Sequence, residues 1–410
     1  MTSAFGDRIM ARADALAEFS EYNDKLCRRY LTPEHRAAIT VLSEWMESAG
    51  MEVHIDAAAN CIGRYEAAEP DAPAVLVGSH IDTVRDAGRY DGMLGILCAI
   101  ECVDALHATN TRLDHAIEVV AFGDEEGVRF KATLLGSSAI AGTFDPDWLQ
   151  REDEDGITLQ AALDAFELDS TDINDARRAA EDVAAFVEVH IEQGPVLENE
   201  GLALGVVTAI AGASRFNITV TGEAGHAGTV PMGLRHDALA ASAEMVLEIE
   251  RLCTELDTVG TVGQIAASPG AVNVISGQCQ FSLDIRAGNN AVRQRTVADL
   301  WARLQTIAGR RGVKVSIALT HDFDACECDA GLMAQLTEAL ERGGHPLKQL
   351  PSGAGHDAMA MAALTPVAML FVRCERGISH HPDEHMTAED AEAATAVLLD
   401  FLQHYQPSQA

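Results

Sequence analysis

Four short runs in this chain, AVLVGS (74–79), AIEVVAFG (116–123), AFVEVHIE (185–192) and PVAMLFVRC (366–374), are apolar almost throughout and rich in β-branched residues. A strand with one face in water alternates polar and apolar side chains. Runs without that alternation read as strands covered on both faces, as in a parallel sheet. Helical stretches such as GILCAIECVDALHA (95–108) and GLMAQLTEALERGG (331–344) lie between them, and parallel strands need crossovers of this kind. The expected fold class is α/β: a mostly parallel sheet with helices on both faces.

The middle of the chain has a different rhythm. SRFNITVTGEAGHAG (214–228) and CQFSLDIRA (279–287) alternate like half-exposed strands, and VKVSIAL follows the second helical run. RHDALAASAEMVLEIERLCTEL and AVRQRTVADLWARLQTIAGRRG have the period of amphipathic helices. The reading is an inserted α+β domain over 207–321, with a four-stranded antiparallel sheet and two helices. It interrupts an α/β domain made of 1–206 and 322–410. The acidic stretch 150–182 reads as helical excursion and solvated surface.

Composition narrows the function classes. A formal charge of -34 argues against nucleic acid or anionic membrane as partner, since both would be repelled. No apolar run approaches the roughly 18 residues that span a bilayer, and the opening residues lack the apolar stretch of a signal peptide. Nine cysteines, an odd number spread thinly, suit reduced thiols rather than a disulfide framework. Cys326 and Cys328 have no second pair nearby and read as plain thiols. The expectation is a soluble cytoplasmic protein.

The ends of the four apolar runs carry the chemistry. His80 follows the first, Asp124, Glu125 and Glu126 the second, His190 closes the third, and His380 lies in the loop after the fourth. In an open parallel sheet the carboxyl ends share one edge, where ligands bind. Three imidazoles with the carboxylates of Asp91 and Glu126 make a nitrogen and oxygen donor set suited to Zn²⁺, Mn²⁺, Co²⁺ or Ni²⁺ rather than Ca²⁺ or Mg²⁺. If Asp91 bridges, the five ligands divide between two ions. Asp82, two residues from His80, is placed to accept from the imidazole nitrogen that does not bind metal. Glu125, not needed for coordination, is free to act as general acid and base. Singly, each piece also has a structural reading: Asp91 as a helix N-cap, GDEEGVRF as a solvated acidic turn, each histidine as a hydrogen-bonded loop residue.

Seven motifs stand in order, GSHIDTV…GRYDG, GDEEGVRF, EVHIEQGPVLE, GHAGTVPM, NVISG…LDIR, SGAGHDA and GISHHP, in a match that runs from about 55 to 400. Together they resemble the amidase, hydantoinase and carbamoylase branch of the aminoacylase and carboxypeptidase-like metallohydrolases. The resemblance implies two divalent metal ions per subunit, Mn²⁺ or Zn²⁺ with Co²⁺ or Ni²⁺ as alternatives. It assigns their ligands to His80, Asp91 (bridging), Glu126, His190 and His380, with Asp82 supporting and Glu125 as general acid/base. His381, at a variable position of the pattern, is not a ligand. It also implies a lid and dimerisation domain and a homodimer. His226 would stabilise the oxyanion, and Asn273 and Arg286 would hold the substrate carboxylate, possible contributions across subunits. Gln193 matches a ureido contact and Gly355 a close approach to substrate. His356 and Asp357 are pocket residues without assigned chemistry.

The implied reaction is hydrolysis of the ureido group of a small anionic substrate. Allantoate to ureidoglycine leads, on the stretch 350–382, and N-carbamoyl-L-amino acids come second. CERGISHHPDEH departs from the usual pattern by placing Glu375 and Arg376 near the rim. A dipeptidase or aminoacylase would share the metal set but typically has a carboxylate where this chain has His190. A redox or transferase reading lacks any G-x-G-x-x-G or P-loop after a strand.

Overall fold

The computed structural model describes residues 5–407. The chain forms two compact units: one runs to Thr208 and resumes over Cys328–Leu350 and from Ala354, the other is Ala209–Glu327 with Pro351–Gly353. In the first unit, strands Ala116–Phe122, Ala74–His80, Val183–Ile191 and Val367–Val372 lie side by side in that order and all parallel. Antiparallel strands flank them, Cys61–Tyr65 and Glu52–Ile55 on one side and Leu204–Ile210 on the other. The fold is α/β with a mostly parallel sheet.

Every residue of Ala74–His80, Ala116–Phe122 and Val367–Val372 is buried. Successive side chains of a strand point to opposite faces, so an unbroken buried run requires cover on both. Helix Met93–Ala108 supplies part of that cover and is itself buried on nearly all sides, between Phe5–Ala17 and Ala388–His404. Gly95 lets it sit close to the sheet, since a Cβ there would meet the Val189 carbonyl at 2.4 Å.

The acidic stretch 150–182 is more than solvated surface. It folds into a short helix, Leu159–Ala165, and 3-10 turns, and its Leu159, Leu163, Phe166 and Ile173 join the main core. Sparse apolar residues at helical spacing are enough to anchor an otherwise acidic segment.

In the second unit, Gly212–Thr221, Gln278–Ala287 and Lys314–Phe323 form the long antiparallel strands. The fourth position expected of that sheet is shared by two short strands, Val259–Thr261 and Ile265–Ser268, which both pair with Gln278–Ala287. Alternate residues Phe216, Ile218, Val220, Phe281, Leu283 and Ile285 are buried together with the inner faces of helices Ala238–Glu255 and Asn290–Arg311. A separate two-stranded ribbon pairs Gly225–His226 with Val274–Ile275. No helix among the described residues is long and apolar enough to cross a membrane.

Candidate metal centre

Parallel strands align their carboxyl ends, and the residues just beyond them meet at one edge. His80 is the last residue of its strand and His190 the penultimate one of its own. The turn 124–126 follows Ala116–Phe122, and His380 lies in the loop after Val367–Val372. Asp91 is at the centre: its Oδ1 is 3.1 Å from His190 Nε2 and 3.5 Å from His80 Nε2, and its Oδ2 is 3.4 Å from His380 Nε2. His380 Nε2 is also 3.3 Å from Glu126 Oε1. Two donor groups able to hold a cation result, His80 with Asp91 and His190, and Asp91 with Glu126 and His380. The N-cap reading of Asp91 fails, because Gly92 occupies the N-cap of Met93–Ala108 and no side chain caps it. No helix begins at the 124–126 turn either; the next one starts at Leu135.

The donor set fits divalent cations on its own geometry. His80 Nδ1 is 3.0 Å from the Asp82 carbonyl, and His190 Nδ1 is 2.9 Å from the Ile191 carbonyl. A carbonyl only accepts, so each Nδ1 carries a proton and each ring turns its Nε2 toward an anionic Asp91 oxygen. A positive charge, either a cation or a proton on Nε2, holds each ring against the carboxylate at these distances. The electrostatics agree in sign. Burial opposes charge on His80 and His190, yet hydrogen bonds to Asp82 and Asp91 for the first, and to Asp91 for the second, hold both imidazoles above the usual histidine range. Burial likewise opposes ionisation of Asp91, but His190 and His80 hold it well below the carboxylate range. His380, bonded to Glu126, is raised to about 9.

Asp82 does more than face His80. Its carboxylate Oδ1, 3.4 Å from His80 Nδ1, accepts the Glu125 amide at 3.0 Å, and Oδ2 accepts the Glu126 amide at 3.3 Å. His80 Nδ1 lies closer to the Asp82 main-chain carbonyl than to its carboxylate, and the carboxylate also fixes the backbone of the acidic turn. Burial pushes the Glu125 carboxyl well above its usual range, with Glu126, Asp357 and Asp82 adding to the push and His80 opposing it. Gly355 lies against Glu125: a Cβ there would be 3.8 Å from Oε1.

Gln193 and His380 both have φ of 55°. Left-handed backbone at residues other than glycine is costly, and such strain concentrates at functional sites. Gln193 Nε2 donates to Asp91 Oδ2 at 2.8 Å and to Ser379 Oγ at 3.1 Å, while its buried Oε1 has no partner among the described residues. His381 is 56% exposed, and its Nδ1 accepts from the Asp383 amide.

Three residues at the site lie outside the sequence expectations. Ser379 donates to Asp91 Oδ2. Glu384 Oε1 accepts the Tyr90 and Asp91 amides. Glu188 accepts from Ser79 Oγ at 2.8 Å and the Ala358 amide at 3.1 Å, and with His190 and His356 makes a further group able to hold a cation. The period of two that puts residues 188 and 190 on one face of a strand is the one signal that points to it. His356 is buried, with its ring centroid 4.5 Å from that of His190. Asp357 is fully buried, and burial with Glu188 nearby pushes its carboxyl well above the usual range.

The remaining expected residues belong to the second unit. His226 pairs with Val274 on the ribbon, and the adjoining Ala227 amide donates to the Asn273 carbonyl at 3.0 Å. Arg286 is not on the ribbon but on strand Gln278–Ala287, held by Asp284 through Nε–Oδ1 at 3.0 Å and Nη2–Oδ2 at 3.1 Å. Asp284 also accepts from Arg215 Nε at 2.9 Å.

Known proteins share this architecture over nearly the whole chain. An allantoate deiminase of Glycine max is 41% identical over 97% of this chain and 89% of its own length. An N-carbamoyl-L-amino acid amidohydrolase of Geobacillus stearothermophilus is 40% identical over 96% of this chain and 97% of its own. The crystal structure of an amidase of the hydantoinase/carbamoylase family from Burkholderia multivorans superposes with a TM-score of 0.89 at 33% identity, covering 97% of both chains. Residues 76–404, which include His80, Asp91, Glu126, His190 and His380, match the model of Peptidase family M20/M25/M40. The chain belongs to peptidase family M20/M25/M40.

Proposed function

We propose that this chain hydrolyses the ureido group of a small carboxylate, converting allantoate to ureidoglycine with release of ammonia and carbon dioxide, in purine catabolism. At the coarser level the chain is a hydrolase of C–N bonds other than peptide bonds, of the same type as its amidohydrolase relatives. The observation that carries the reading is the meeting of His80, His190, His380 and Glu126 around one carboxylate, that of Asp91. Hydrolysis of N-carbamoyl-L-amino acids is the second reading, supported by relatives of nearly equal identity.

His80, Asp91 and His190 would hold one divalent ion, and Asp91, Glu126 and His380 the other, Mn²⁺ or Zn²⁺ before Co²⁺ or Ni²⁺. Bound ions supply Lewis-acid polarisation of the ureido carbonyl and a more acidic water. Glu125, on a turn fixed by Asp82, takes the proton of the attacking water and returns it to the leaving nitrogen. Gln193 offers its unpartnered Oε1 to the ureido N–H groups. His226 donates to the developing oxyanion. Arg286, oriented by Asp284 on one edge of its guanidinium, offers its Nη edge with Asn273 to the carboxylate and so sets which end of the substrate reacts. Gly355 leaves room beside Glu125.

A homodimer, with the second unit as lid and dimerisation domain supplying His226, Asn273 and Arg286 across subunits, completes the reading. The ten-residue strand Lys314–Phe323, paired along one side only among the described residues, and the exposed Met232, Leu234 and Leu247 support such an interface. None of the nine cysteines is in a disulfide, which suits the cytoplasm.

Steady-state assays on allantoate, N-carbamoyl-L-amino acids and dipeptides, with each candidate ion, test the proposal. Allantoate should be the best substrate, and Glu125→Gln should lower kcat by about 10²- to 10⁴-fold with metal retained. Cleavage of dipeptides alone, or full turnover by the Glu125→Gln protein, overturns it.

A further inference from the structure

The ribbon that carries His226 has little core of its own. Its two strands are two residues long, and His226 is exposed. A group that must meet a reacting atom needs a support that is not itself mobile. That support comes from Arg235, half-buried just before the helix Ala238–Glu255. Its Nε donates to the Val230 carbonyl at 3.0 Å and its Nη2 to the Ala227 carbonyl at 2.6 Å. The two bonds clamp the ends of one tight turn. Inside it, the Thr229 and Val230 amides lie 3.4 and 3.3 Å from the His226 carbonyl.

Within the same turn the Gly228 amide donates to His226 Nδ1 at 3.0 Å. An amide only donates, so this Nδ1 is an acceptor and the neutral ring carries its proton on Nε2. The exposed edge of His226 is therefore a hydrogen-bond donor, as an oxyanion requires. Arg235 is in turn fixed to the body of the unit: Asp237 caps the helix through the Leu239 and Ala240 amides, the Glu223 amide donates to the His236 carbonyl, and the Ala238 amide to that of Ser276.

We propose that Arg235 is a positioning residue for His226, holding the 226–230 turn in the form that keeps Nε2–H pointed outward as donor. The inference rests on the role of His226 at the oxyanion under the proposed function. Neither a methionine nor a lysine reproduces the fork: Arg235→Met removes both bonds, while Arg235→Lys keeps the charge and one donor.

The test measures wild type, Arg235→Met, Arg235→Lys, His226→Ala and the double variant Arg235→Met/His226→Ala as full-length metal-loaded enzyme. Hydrogen–deuterium exchange at the amides of residues 227–230 reads positioning without turnover. It should quicken in Arg235→Met and by less in Arg235→Lys; unchanged exchange overturns the proposal whether or not the substrate reading holds. On whichever ureido substrate the wild type turns over, Arg235→Met should lower kcat by about 10- to 100-fold with a smaller change in KM, and Arg235→Lys should recover part of it. In the His226→Ala background the same substitution should cost almost nothing. An equal loss in both backgrounds marks a purely structural role and overturns the proposal. Full kcat in His226→Ala overturns it too, while leaving the amidohydrolase reading intact.

Discussion

The carboxylate of Glu384 carries the backbone of Asp91, 293 residues away: its Oε1 accepts the Asp91 amide at 3.1 Å and the Tyr90 amide at 2.8 Å. Gly88 makes the space for it, since a Cβ there would come within 2.2 Å of the Glu384 carboxyl carbon. Groups that orient a metal ligand typically change affinity by about 10- to 100-fold when removed. Glu384→Ala should weaken metal binding by that amount, read by competition with a coloured chelator. Glu384→Gln, which keeps an accepting oxygen, should lose much less. Equal affinities in all three proteins would refute the role of this bond.

Removing the ions should remove the activity. Dialysis against a strong chelator is expected to abolish turnover, and Mn²⁺, Zn²⁺ or Co²⁺ to restore it. Asp91→Ala takes away the one carboxylate common to both donor groups. Metal analysis should then find most of the bound ion lost from both positions. A stripped protein that stays fully active contradicts the metal assignment.

Acid stability depends on a group away from the centre. His35 is fully buried with Nε2 3.1 Å from the Gly123 carbonyl, and burial lowers its pKa to about 3, with Arg28 and Arg129 adding and Asp82 opposing. An unfolded histidine titrates near 6.5. The folded value is depressed, so its contribution is fully present above about pH 6.5 and is lost as pH falls toward 3, by on the order of 5 kcal/mol in total. Urea unfolding of wild type against His35→Gln from pH 7 to 4 measures the difference. The gap should narrow on acidification, and parallel pH profiles would rule His35 out.

Strand spacing makes Gly78 hard to replace. It pairs with Val120, and a Cβ on it would stand 1.8 Å from the Val120 carbonyl oxygen. Backbone cannot yield as a flexible side chain can. Gly78→Ala is expected to cost about 3 kcal/mol or more, read from denaturant midpoints, and to lower metal affinity by shifting His80 two residues on. A fully stable Gly78→Ala protein with normal metal binding would contradict this account of the strand contact.

Much of this protein is legible one segment at a time. Short unbroken apolar runs rich in β-branched residues read as doubly covered strands, and a parallel sheet then brings the residues beyond their carboxyl ends to a common edge. That is why His80, Glu126, His190 and His380 group together on strand order alone, without a single distance. Local patterning could not say which atom of Asp82 meets His80, because a carbonyl and a carboxylate on one residue are equally near in sequence. Nor could it find Glu384 beneath Asp91 or Arg235 behind His226, since hydrogen bonds to main-chain groups leave no periodic trace. Residue types and their order determined the sheet and its chemically armed edge. Tertiary packing alone decided which oxygen and which ring nitrogen face each other, because those choices depend on angles and distances between segments far apart in the chain.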